Sequence, residues 1–85
     1  MILKVGNTYI NMDVIDMIDL EYNEELGTTT LKIYTTYGDF IVELADLPTE
    51  LYEDFSRNFF HIKSIETNEI ISLEYIVELV VSRNV

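Results

Sequence analysis

From Ile18 to Leu44 the apolar residues recur at every second position, and this rhythm constrains the fold more than any other feature of the chain. Ile18, Leu20 and Tyr22 alternate with Asp19, Glu21 and Asn23. Between Thr28 and Tyr37, Leu31, Ile33, Thr35 and Tyr37 share one side and Lys32, Tyr34 and Thr36 the other; Phe40, Val42 and Leu44 continue the pattern. A strand sends successive side chains to opposite faces, so these runs read as three half-buried strands. Glu24-Glu25-Leu26-Gly27 and Gly38-Asp39 supply the turns, which makes the unit an antiparallel meander.

The flanking segments extend this reading. Leu3 to Val5 and Thr8 to Ile10 surround Gly6-Asn7, the signal of a small hairpin. Pro48 opens a helix at the position where its missing N–H does least harm, and Leu51, Phe55, Phe59 and Ile62, with Tyr52 beside them, form one apolar stripe. Glu50, Glu53 and Asp54 near its start and Arg57, His61 and Lys63 near its end match the helix dipole. The run Val77-Glu78-Leu79-Val80-Val81 is apolar on both faces apart from Glu78 and reads as a strand, central in the sheet or buried in an interface. Residues 10–18 and 71–79 resemble one another: each has Ile, a small polar residue, Met or Leu, an acid, any residue, then Ile. Both read as a strand end and a short turn whose Asn or Ser satisfies backbone donors, followed by a new strand. The expectation is one acidic α+β domain over 1–85, with an antiparallel sheet of about 5–6 strands and one amphipathic helix, about 48–62, packed on one face.

Sixteen acids against five bases give a formal net charge of −11. The acids are threaded through a chain that is 48% apolar, so the charge belongs to a folding sequence and not to a disordered tail. Such a surface repels nucleic acid and anionic membranes and attracts basic proteins. There is no Cys, which excludes disulfides and thiol chemistry and fits a reducing compartment. No signal-peptide pattern or membrane span is visible, so the expected location is cytoplasmic, the host cytoplasm if the protein is viral.

No reaction is named by any motif. Asp13, Asp16 and Asp19 are spaced three apart, but the spacing matches no calcium loop and no Gly supplies the bend, so no metal is expected. His61 is the single histidine; Ser56, Ser64, Ser72 and Ser82 lie in no nucleophile elbow and beside no oxyanion-forming glycines. The expectation is therefore a non-enzyme without cofactors.

The functional reading follows the charge. The densest acidic segment is Asp13, Asp16, Asp19, Glu21, Glu24 and Glu25, with no base among them, and Glu50, Glu53 and Asp54 form a second patch. Tyr34 shares its face with Lys32 and is a candidate contact, the alternative being cross-strand packing. These residues point to a protein-binding inhibitor directed at a basic, nucleic-acid-binding partner, in its sharpest form a nucleic-acid mimic. Phage anti-restriction and anti-CRISPR proteins are of this type (small, acidic, cysteine-poor, without catalytic motifs), although no residue pattern places the chain in such a family. The alternative is a structural module that forms homodimers or larger homo-oligomers through strand edges or the apolar C-terminal strand.

Overall fold

The computed structural model describes residues 1–84. The opening hairpin joins β1 (Ile2–Val5) to β2 (Thr8–Asn11) through Gly6, which has φ +59°, while Asn7 keeps a negative φ. A type II′ turn makes that demand of its first central residue. A single 3₁₀ turn at Met12–Val14 then leads into the meander of β3 (Ile15–Asn23), β4 (Thr28–Thr35) and β5 (Gly38–Leu44). Asn23 closes the β3–β4 turn: its Oδ1 accepts from the N–H groups of Glu25 and Leu26 at 3.1 and 3.3 Å, and Gly27 sits at φ +65°. The β4–β5 turn lies two residues earlier than the Gly38-Asp39 signal suggests. It consists of Thr36 and Tyr37, because Thr35 pairs with Gly38 and its hydroxyl both donates to the Gly38 carbonyl and accepts from the Tyr37 N–H.

β3 is longer than the alternation alone indicates, since it begins at Ile15, whereas β4 stops at Thr35, short of Tyr37. Its pairing with β4 slips between Ile15 and Met17, which face Thr35 and Tyr34, so Asp16 is the extra residue of a β-bulge. The bulge resets the two-residue phase. It lets Ile15 and Ile18 both face inward although they are three apart, and Ile15 is buried.

Pro48 is followed by a 3₁₀ turn at Thr49–Leu51 and then α1 (Tyr52–Lys63), so the helix proper starts later than Pro48 but carries the expected stripe: Phe55, Phe59 and Ile62 are buried. Tyr52 is the stripe's polar member. Its hydroxyl lies 2.6 Å from Oγ1 of Thr29, and Thr29 in turn donates to the Leu47 carbonyl at 2.9 Å, which leaves no unmet hydrogen bond at the one buried polar residue.

The C-terminal segment corrects the sequence reading. After a three-residue β6 (Ile70–Ser72), residues Leu73–Arg83 form a second helix, α2, and not a strand. Leu73, Ile76, Val77 and Val80 are its buried residues, a helical stripe that also removes these side chains from any strand-based interface. The described residues thus form two α-helices and two three-stranded sheets, ordered β2-β1-β6 and β3-β4-β5, and the β1–β6 pair is parallel. One apolar cluster joins Leu3 and Ile10 of the first sheet, Leu31 and Ile33 of the second, and the buried faces of both helices. Across the two helices Arg83 donates to Oδ1 of Asn58 and Asn84 to Oδ2 of Asp54, so the last turn of α2 is fastened to the first turns of α1.

Candidate functional site

The sheet β3-β4-β5 buries one face and leaves the other in water. Inward lie Ile18, Leu20, Leu31, Ile33, Val42 and Leu44; outward, by the pairing register, the rows Met17–Tyr34–Asp39, Asp19–Lys32–Ile41 and Glu21–Thr30–Glu43 cross the three strands. An antiparallel sheet is free to solvate one face in this way. On the outward face Lys32 is the lone base. It stands directly opposite Asp19, yet its Nζ turns to Asp39 at 3.7 Å and lies over the Tyr34 ring at 5.0 Å. Tyr34 is half-buried, with Lys32 of the same strand over its ring, and lies on the outward face.

The candidate acids fall into two groups. Asp13 in the 3₁₀ turn, Asp16, Asp19 and Glu21 on β3, and Glu24 and Glu25 in the following turn are all exposed, and β3 is an edge strand. Among the described residues none of the six is in an ion pair. The helix patch is different. Arg57 reaches Glu53 at 3.5 Å and Asp54 at 2.9 Å, so only Glu50 of that group is left without a local cation. Glu50 lines a shallow depression with Tyr22 and Gly27, which none of the six acids of residues 13–25 lines.

Three of the serines weighed for chemistry are engaged locally. Ser64 donates to the carbonyl of His61, Ser82 to that of Leu79, and Ser72 accepts from the N–H of Tyr75 as the α2 N-cap. His61 itself is exposed in the last turn of α1. Among the described residues no three acids or histidines are placed to hold a metal ion. No helix among the described residues is long and apolar enough to cross a membrane.

The structure adds a feature that the sequence reading missed. A groove of about 1270 Å³ opens between β5 and α2, closed at one end by Val5 and Gly6. It was invisible while residues 77–81 were read as a strand, because α2 is one of its walls. The chain matches no known protein family, no curated protein and no solved structure.

Proposed function

We propose that this chain is a non-catalytic inhibitor or adaptor that binds a basic protein surface through the acidic side of β3. The observation that supports it is the row of six exposed, unpaired acids Asp13, Asp16, Asp19, Glu21, Glu24 and Glu25, held by a strand pinned to β4. Fixed charge of one sign attracts an Arg- or Lys-lined surface at long range and accelerates encounter. The acids Glu50, Glu53 and Asp54 play a smaller part, since Arg57 already offsets two of them. Met17, 51% exposed, and Tyr34 give the same face apolar and aromatic contact area.

A partner that itself binds nucleic acid, as a phage anti-defence protein would target, fits this charge. In its sharpest form the reading is a nucleic-acid mimic, with Asp16 and Asp19 ~10 Å apart and Asp19 and Glu21 ~7 Å apart along β3 at a rise of ~3.3 Å per residue. The alternative, self-assembly through strand edges, retains the open edges of both sheets, but the apolar C-terminal segment supports it less because Leu73, Ile76, Val77 and Val80 are packed into the chain's own core.

The test is a pull-down from lysate with the intact chain at low and high salt, where the screening length falls from ~14 to ~4 Å. Capture of a basic protein that disappears at high salt, disappears with Asp16→Lys, Asp19→Lys and Glu21→Lys combined, and is competed by DNA or RNA is the expected result. Recovery of only the chain itself at both salts overturns the proposal in favour of self-assembly.

A further inference from the structure

The two edges of the β3-β4-β5 sheet are built differently. On β3, the bulge at Asp16 and the exposed acids are devices that keep a stray strand from pairing. β5 has neither. Its register against β4 runs unbroken from Thr29–Leu44 to Thr35–Gly38. Both of its acids are turned back over the sheet: Asp39 meets Lys32, and Glu43 accepts from the hydroxyls of Thr28 and Thr30 at 2.7 and 2.8 Å. Ile41 is left 66% exposed. Since β5 bonds to β4 alone, its far side carries unpaired N–H and C=O groups.

That far side is one wall of the groove. Residues 41–46 all line it in unbroken succession. A strand shows only alternate residues on a face, so a continuous run means that the strand's edge, with its free backbone groups, looks into the opening. The opposing wall is α2, with Leu73 and Val77 toward the floor and Glu74, Glu78 and the 53% exposed Tyr75 at the rim. Glu74 and Glu78 are an i,i+4 pair of like charge, an arrangement that works against the helix carrying it. Among the described residues neither meets a cation, and the described lining holds no Lys, Arg or His.

We propose that this groove receives an extended segment of a partner protein as an added strand on β5, apolar at alternate positions and carrying Lys or Arg toward Glu74 and Glu78. The backbone edge supplies strand hydrogen bonds, the apolar floor receives every second side chain, and the acid pair selects the charge. A second copy of this chain is the poorer occupant. Each copy carries −11, and its own β5 offers Asp39 and Glu43 but no base. The surface is distinct from the β3 row, so either assignment can fail alone.

The experiment selects binders to the intact chain from a displayed library of random short peptides, then measures the affinity of the enriched peptides and backbone amide exchange with and without them. Expected are sequences that alternate apolar and basic residues, slowed exchange within Ile41–Leu44, a Kd raised about tenfold or more by Glu74→Lys with Glu78→Lys, and no change with Asp16→Lys, Asp19→Lys and Glu21→Lys combined. The exposed helical positions leave the fold of the first variant intact, which circular dichroism checks. Four results overturn the proposal: no enrichment, enrichment of acidic or uncharged sequences, an exchange footprint on β3 instead of β5, or concentration-dependent protection of β5 without peptide, which would assign the edge to a second copy.

Discussion

Residues 10–18 and 71–79 begin alike and end as different structures. Each leaves an outer strand of the same small sheet, β2 or β6, on either side of β1. Each is capped by its short polar residue, Asn11 accepting from the Asp13 N–H at 3.0 Å and Ser72 from the Tyr75 N–H at 3.1 Å. The next apolar pair is buried in both, Met12 and Ile15 in one, Leu73 and Ile76 in the other. After that they part. The first makes one 3₁₀ turn and becomes β3; the second continues for eleven residues as α2. The divergence falls where the second has Val77 and Val80, and the first, at the matching places, Asp16 and Asp19. A helix there would drive two carboxylates into the core, whereas as a bulge and an outward strand position they stay in water. At these two positions the first segment lacks the apolar stripe that α2 buries.

The largest expected effect comes from moving that difference across. Val77→Asp with Val80→Asp gives the second segment the aspartates of the first, and each would bury an unpaired charge. A loss of at least about 4 kcal/mol is expected, enough to unfold a domain of ordinary stability, and far-UV circular dichroism would show it as loss of helix. Next are the matched isoleucines. Ile15→Ala and Ile76→Ala remove side chains of equal burial, 2% and 0% exposed, and each should cost about 2–5 kcal/mol in denaturant unfolding. A much smaller loss at Ile15 would mean that the two segments are not equivalent even where they look it.

The caps should separate more finely. Ser72→Ala removes the N-cap of an eleven-residue helix, and about 1 kcal/mol is expected. Asn11→Ala removes a bond that serves a single 3₁₀ turn and should cost less than about half of that, read as the shift in urea midpoint. Smallest is the reverse exchange. Asp16→Val with Asp19→Val should leave the strand in place and change stability by no more than about 0.5 kcal/mol, because pairing with β4 from Ile18 to Asn23 holds β3 whatever the helical stripe says. A gain of helical signal would show instead that the aspartates alone keep this segment extended.

The same contrast explains what the sequence revealed. The meander was legible because Leu31 and Ile33 alternate with Lys32 and Tyr34 between unambiguous turn residues, and α1 because Pro48 and the Phe55–Phe59–Ile62 stripe agree. α2 was misread because its valines favour strands when judged singly. Burial against α1 and β1 overrides that preference. The spacing of Leu73, Ile76, Val77 and Val80, together with the Ser72 cap, was the available signal. The parallel β1–β6 pair, three residues long and distant in sequence, had none. At the site, the acids of residues 13–25 were legible as charge, but their lying along an edge strand required the sheet order. The β5–α2 groove depended on the one element misassigned.

The parallel pairing of Ile2 with Ile70 also governs when the molecule becomes whole. At about 5–20 residues per second, synthesis delivers β6 roughly 3–14 s after β1. Throughout that interval the first hairpin is a two-stranded ribbon, marginal by itself, with the apolar side chains of Leu3 and Ile10 still waiting for their cover. The emerging chain must therefore stay dispersed while incomplete. By then it has already gathered most of its acids, so self-repulsion between nascent chains is at work before the core exists.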